Sequence, residues 1–203
     1  MSNFTPGGSN YSATWTDVSG NLWLLTGDGF TSSTPPPSNQ PGFFNELWVF
    51  TGTANYTGSC GNVWTLVRPP TPPGPTPVGR WGAITWTDPG TGHLWLFEGQ
   101  DGGLQFLNDL WEYNIGTNVW TYHGGGGDVP GVYGTLGTAS ASNWPGGRWG
   151  ASSRLDASGN VWVFGGFGCD STVVANPPRS LLQSVAERPL EVQRRPVDLG
   201  QWC

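Results

Sequence analysis

Gly20-Asn21-Leu22-Trp23-Leu24-Leu25, Gly92-His93-Leu94-Trp95-Leu96-Phe97 and Gly159-Asn160-Val161-Trp162-Val163-Phe164 are three versions of one strand-sized phrase, each entered from a turn. The rest of the unit recurs as well. Phe44-Asn45-Glu46-Leu47-Trp48-Val49-Phe50 is answered by Leu107-Asn108-Asp109-Leu110-Trp111-Glu112-Tyr113, and Gly61-Asn62-Val63-Trp64-Thr65-Leu66 by Thr117-Asn118-Val119-Trp120-Thr121-Tyr122. Each full unit therefore holds four short apolar runs, and its length varies only in the connections between them, as repeat architectures allow.

The composition supports an all-β reading. Gly (33) and Pro (18) are abundant among 203 residues, but 13 Trp and 9 Phe give the chain apolar surface that a disordered Gly/Pro-rich sequence lacks. The aromatics sit in the runs and the Gly and Pro sit between them. Leu94-Trp95-Leu96-Phe97 is continuous and bounded by Gly, which suits a strand buried on both faces, and Ala83-Ile84-Thr85-Trp86-Thr87 is β-branched and aromatic. No window carries a helical period, and no apolar run is long enough to span a membrane.

The turns follow from their residues. Asp17-Val18-Ser19-Gly20-Asn21 and Asp156-Ala157-Ser158-Gly159-Asn160 place Gly where a hairpin needs positive φ and Asp where a side chain can cap the turn, so runs one and two pair as a hairpin. Asn114-Ile115-Gly116-Thr117-Asn118 does the same between runs three and four. The 2-3 connections (27–44 and 99–107) and the 4-1 connections (68–79 and 123–147) read as mostly long, which gathers variable loop mass on one side, where binding usually resides.

The paired Gly165-Gly166 after the second strand, Asn108-Asp109-Leu110-Trp111-Glu112-Tyr113 in the third, and Trp120 seven residues after Tyr113 resemble kelch repeats, the blades of a β-propeller. The resemblance covers roughly residues 7 to 170. It implies all-β kelch-type blades of four antiparallel strands: blade 1 at 7–67, blade 2 at 79–123 and half of blade 3 at 147–170, about two and a half in all. Trp23, Trp95, Trp162, Trp48, Trp111, Trp64 and Trp120, with Gly165 and Gly166, are then blade-structural positions. Thr26-Gly27 and Glu98-Gly99 depart from the glycine pair and call for a different local backbone. Propellers close with about four to eight blades, so the chain reads as part of a larger propeller or, as the lesser alternative, a subunit that completes a ring by association. Its partners would then include the remaining blades or further copies of itself.

Residues 171–203 do not continue the repeat; they hold one aromatic, Trp202, and four of the eight Arg. Ala186-Glu187-Arg188-Pro189-Leu190-Glu191-Val192-Gln193 back-translates as GCT-GAA-CGA-CCT-CTG-GAG-GTT-CAA. Read one base later, and completed by the C of Arg194, this gives Leu-Asn-Asp-Leu-Trp-Arg-Phe-Asn, nearly the segment at 107–114. In the same frame, residues 196–202 can give Gln-Trp-Thr-Trp-Val-Ser-Gly, which answers the strand around Trp120. The tail reads as a half-blade translated out of frame, the alternative being an ordinary basic or disordered tail.

Charge and chemistry-bearing residues narrow the function. The net charge is −6 and every basic residue is Arg, so a basic nucleic-acid surface is not expected. Cys60, Cys169 and Cys203 are odd in number and have no zinc spacing; a Cys60–Cys169 disulfide is possible on sequence but unsupported. Asn3, Asn10 and Asn55 begin glycosylation sequons. The polar N-terminus does not read as a signal peptide, which leaves a cytoplasmic protein or a secreted or cell-surface parent with a lost start. Galactose oxidase and its relatives hold copper on such a propeller with two Tyr and two His, and neither His93 nor His123 maps onto that set; no cofactor is expected. Gly124-Gly125-Gly126-Gly127 lacks the Lys-Ser/Thr of a phosphate loop. Asp17, Asp88 and Asp156 recur at one turn position, which marks a backbone role.

Arg80-Trp81 and Arg148-Trp149 recur at equivalent positions; a structural stacked pair is the preferred reading, a ring of Arg meeting an acidic ligand the other. The expectation is a non-catalytic scaffold that binds protein or glycan through its 2-3 and 4-1 loops. Arg80, Arg148, Pro72, Pro73 and Tyr133 are the loop-face candidates, and Pro69 to Pro77 forms an extended strip. The alternative is part of a galactose oxidase-like enzyme whose catalytic residues lie outside this chain. Determining the coding DNA tests the tail: the shifted frame is expected to spell the two half-blade segments, and a shifted frame with early stops or without them sinks the idea.

Overall fold

The computed structural model describes residues 6–29, 42–52, 63–67, 74–169 and 190–192. Among them every regular element is a strand, and no helix is long and apolar enough to cross a membrane. The first repeat supplies β1 (Ser9–Asn10), β2 (Ala13–Thr16), β3 (Leu22–Leu25), β4 (Asp28–Gly29), β5 (Gly42–Phe43), β6 (Leu47–Thr51) and β7 (Val63–Val67). The second supplies β8 (Arg80–Trp81), β9 (Ile84–Thr87), β10 (Leu94–Asp101), β11 (Phe106–Asn114) and β12 (Val119–Gly124). The third supplies β13 (Arg148–Trp149), β14 (Ser152–Leu155), β15 (Val161–Phe164) and β16 (Phe167–Gly168), with β17 (Leu190–Val192) beyond them.

The four apolar runs of the first repeat form an antiparallel meander in the order β2-β3-β6-β7, with Trp15 opposite Trp23, Leu24 opposite Trp48 and Phe50 opposite Trp64. The second repeat gives the order β12-β11-β10-β8, with β9 also on β10. In the third, β14 pairs with β15, whose other edge carries β17, Val163 opposite Leu190. Leu190–Val192 thus lies along β15 in the place that β6 takes along β3. It belongs to the stretch whose shifted frame spells a third strand; residues 170–189 and 193–203 lie outside the described residues. Short pairings β1-β4-β5 and β13-β16 complete the sheets.

Two compact units emerge from the contacts: Met1–Trp81 with Thr85–Leu96 and Trp111–Tyr122, and Gly82–Ile84 with Phe97–Leu110 and His123–Cys203, so β10 and β11 contribute to both. In the first unit the opening repeat meets the second through aromatics: Trp15 lies 6.5 Å from Trp120 and Trp23 lies 5.6 Å from Tyr113. Polar bonds fix the same face. The Trp15 indole donates to the Trp95 carbonyl at 2.7 Å, while the Thr85 and Thr87 hydroxyls donate to the carbonyls of Thr14 (2.7 Å) and Thr16 (2.8 Å). In the second unit Phe106 and Trp149 both meet Phe167, and Phe97 meets Trp144.

Each turn between the first and second runs is held by its aspartate. Asp17 accepts from the Ser19 and Asn21 amides, the Asn21 side chain and the Trp23 indole, all at 2.9 Å. Asp156 repeats the set with Ser158, Asn160 and Trp162. In the second repeat Asp88 accepts from the Gly90 and Thr91 amides and from the Thr91 hydroxyl.

Two expectations change in detail. Burial on both faces is a property of β10, whose Leu94 to Gln100 are all buried, whereas β3 and β15 alternate and leave Leu22, Trp162 and Phe164 exposed. The 2-3 connection of the second repeat is also shorter than its spacing suggested. Strands β10 and β11 run on to Asp101 and Phe106, because Asp101 closes a tight turn by accepting from the Leu104 and Gln105 amides.

Burial pushes the Asp17 carboxyl up, but the hydrogen bonds from Trp23, Asn21 and Ser19 outweigh it and hold Asp17 below its ordinary value. The Trp162 indole, with Asn160 and Ser158, holds Asp156 at about 2. Both groups are depressed by folding, so their contribution is present above the unfolded value of about 4 and is lost as pH falls through the folded value. Between about pH 4 and pH 2 the melting temperature of the parent chain should fall more steeply than that of Asp156→Asn; parallel curves in calorimetry would refute the assignment.

Candidate functional site

Thr26, Glu98 and Gly165 occupy one position in three repeats, just past β3 and β15 in the first and third but within β10 in the second, and the backbone there decides what each can do. Gly165 and Gly166 take φ of 74° and 89°, the left-handed region that glycine enters without cost. Glu98 takes φ of 65° despite its side chain, a conformation worth roughly 1–2 kcal/mol against an L-residue. Thr26 avoids the problem and spends its hydroxyl on the Glu46 amide at 2.9 Å.

The strained Glu98 is fully buried and faces Arg148, with Arg148 Nε 3.2 Å from its carboxylate. Arg148 is itself 2% exposed, and each guanidinium nitrogen is engaged: Nε also donates to the Gly146 carbonyl (3.1 Å), Nη1 to the Gly165 carbonyl (3.0 Å) and Nη2 to the Tyr133 hydroxyl (2.8 Å). The Gly146 amide donates to the same hydroxyl at 3.3 Å. Burial drives the Glu98 carboxyl well above the ordinary range, and the Arg148 charge opposes that shift. The cluster therefore ties the middle of β10, the turn after β15 and the 123–147 connection to one buried cation.

That connection is clamped at both ends by Asn108. Its side chain donates to the Pro145 carbonyl (2.8 Å) and accepts from the Gly126 amide (2.7 Å), while its carbonyl accepts from the Trp144 indole (2.9 Å). Asp128 accepts from the Phe106 amide, and Val132 and Trp144 exchange backbone bonds across the loop. A Cβ at Gly125 would stand 2.3 Å from the Asn108 carbonyl, so the glycine run lies close against β11. Between the clamps, Val129, Val132 and Leu136 are 38%, 52% and 75% exposed.

Of the residues singled out by sequence, Arg148 and Tyr133 come together. Arg80 is 1% exposed and repeats the Arg148 bond to the carbonyl two residues back, donating from Nε to Val78 at 3.1 Å. Pro72, Pro73, Cys60, Asn3 and Asn55 lie outside the described residues. Trp23, Trp95, Trp48, Trp111 and Trp120 are buried, Trp64 is half-buried and Trp162 is exposed. Cys169 is buried. His93 Nδ1 lies 2.5 Å from Glu112, and among the described residues no three His, Cys, Asp or Glu gather as a metal would need. Glu98 stood out in sequence only as a departure from the glycine pair. Asn108 was legible only as part of the repeated strand.

No protein-family model matches the chain, and no curated protein matches it. Among solved structures it is similar to one titled "Structure of YjhT", with 18% identity and a TM-score of 0.47, over 81% of this chain and 35% of that one. The chain thus spans about a third of that protein's length.

Removing Arg148 strands a buried carboxylate, so Arg148→Met should cost about 3–5 kcal/mol in chemical denaturation. An acid raised by folding loses stability as pH climbs past its unfolded value, and without Arg148 the shift grows. The loss should therefore be larger at neutral pH than at about pH 5; a pH-independent loss would show that Glu98 is not the group left behind.

Proposed function

We propose that the chain is a non-catalytic kelch-repeat scaffold, part of a longer propeller, that binds protein or glycan through its connecting loops. One observation carries this reading. The 123–147 connection is braced by Asn108, Asp128 and the Arg148–Tyr133 pair, yet holds Val129, Val132 and Leu136 out to solvent. Apolar side chains on a loop of fixed shape lose little entropy on binding, which is how pre-organised surfaces gain affinity. The order β2-β3-β6-β7, repeated in part by the later sheets, supports the blade assignment, with four antiparallel strands per unit. Arg148 then serves the loop from behind, as a brace for Tyr133, rather than as a ligand contact. Part of a galactose oxidase-like enzyme is the second reading, and it rests on the blade resemblance alone.

A phage-displayed peptide library and a glycan array, probed with the purified chain, test the scaffold reading. Binders should be weakened at least tenfold by Leu136→Asp or Val132→Asp, at positions where these variants leave the melting temperature nearly unchanged. Binders that ignore both substitutions, or copper-dependent alcohol oxidation by the chain, would overturn it.

A further inference from the structure

The turn that joins β10 to β11 and the first residues of the 123–147 connection lie side by side within the second unit. Leu107 bridges Gly127, the Asp128 amide donates to the Phe106 carbonyl at 2.8 Å, and the Asp128 carboxylate accepts from the Phe106 amide at 2.9 Å. A Cβ at Gly127 would stand 3.0 Å from the Gln105 side chain, and one at Gly126 would stand 3.2 Å from Val129 Cγ2. Both connections run between strands that are present on either side, so the surface they make is built of loops and is not a sheet face awaiting a further repeat.

Aliphatic side chains and acids make up this surface. Leu104 is 45% and Val129 38% exposed, with Pro130 and Val132 exposed beyond them. The Leu104 amide donates to the Asp101 carbonyl and its own carbonyl accepts from the Gln100 side chain at 3.1 Å, which holds this apolar residue at φ of 66°, where glycine would sit without strain. Asp101 Oδ1 accepts from the Gln105 amide and Asp128 Oδ1 from the Phe106 amide; Oδ2 of each takes no bond among the described residues. Residues 99–107 and 123–147 contain these two acids and no Lys or Arg. The aromatics of the long connection are engaged elsewhere: Tyr133 with Arg148 and Gly146, Trp144 with Asn108 and Phe97. The large apolar side chains left exposed here are therefore aliphatic, a poorer platform for a sugar ring than the face of a Trp or Tyr.

We propose that Leu104, Val129, Asp101 and Asp128 form a docking site for a protein segment in which a Lys or Arg stands among aliphatic residues. The alkyl stem of that cation and its aliphatic neighbours lie on Leu104 and Val129, and its charged head meets the remaining carboxylate oxygens of Asp101 and Asp128. Charge complementarity selects the occupant: an acidic segment is repelled, and a neutral glycan leaves both carboxylates without a counter-charge. The inference rests on the loop-binding reading above; it chooses protein over glycan, names the partner's charge and adds the β10–β11 turn to the binding surface.

A random peptide library on phage and a glycan array, both probed with the full chain, test the choice, with fluorescence anisotropy of the enriched peptides as the measure of affinity. Enriched peptides should carry Lys or Arg beside Leu, Ile or Val, and replacing that base by Glu should abolish binding. Asp101→Asn and Asp128→Asn keep the oxygen that closes each turn and remove the charge, so each should weaken binding about tenfold. Asp28→Asn, which removes the same charge from β4 in the first unit, should leave binding unchanged. Leu104→Gly takes away the apolar side chain and the strain together, so affinity should fall about tenfold while the melting temperature holds or rises; a purely structural role for Leu104 would not separate the two. Peptides with no base that still depend on Val132 and Leu136, or glycans bound in place of peptides, overturn this inference and leave the loop-binding reading standing. Basic peptides indifferent to Asp101→Asn, Asp128→Asn and Leu104→Gly overturn it as well, and the absence of any binder overturns both.

Discussion

A carboxylate that accepts an indole N–H six residues downstream is the constraint on which the first and third sheets depend. Asp17 and Asp156 each gather two turn amides, an asparagine side chain and a tryptophan, and so lock the turn and the register of the following strand in one step. The tryptophan is thereby both a hydrogen-bond donor to the turn and an apolar body for the sheet face. The second repeat solves the turn differently. One more residue separates Asp88 from Trp95, so the Asp88 carboxylate closes on Gly90 and Thr91, while Trp95 stacks parallel to Trp86 at 5.7 Å.

Where burial is continuous, polar groups must find partners inside the structure, and the second repeat concentrates them. Glu98, Asn108 and Asp109 are all buried, as is Arg148 of the third repeat, which meets Glu98. An ion pair in such a place adds little net stability, since desolvation offsets the Coulomb gain. Its effect is geometric: Arg148 reaches the middle of β10, a turn and a loop tyrosine together, and a residue held at positive φ supplies the counter-charge.

Much of this was legible in the sequence because it is periodic. The turn aspartates, the hairpins and the order of strands follow from positions that recur, and Trp48 and Trp120 are buried as repeated aromatics in such sheets should be. What escaped is what does not recur. Glu98 meets Arg148 across fifty positions of chain, Tyr133 meets it from inside a loop, and no local pattern signals either approach. Unequal burial of equivalent residues was equally hidden, since Trp23 and Trp162 sit in near-identical phrases and differ only in what lies against them.

The four glycines at 124–127 have a consequence for how this loop can change over evolutionary time. Because Gly125 presses on Asn108 and a Cβ at Gly147 would stand 2.0 Å from the Phe106 carbonyl, the two ends of the connection are fixed in length and composition. Gly137, near the tip, has open space around its missing side chain. Insertions and substitutions are thus confined to the middle of the segment, where they leave the sheets untouched. The glycine run, commonly taken as a source of slack, is here the stiff base from which a variable tip can diverge.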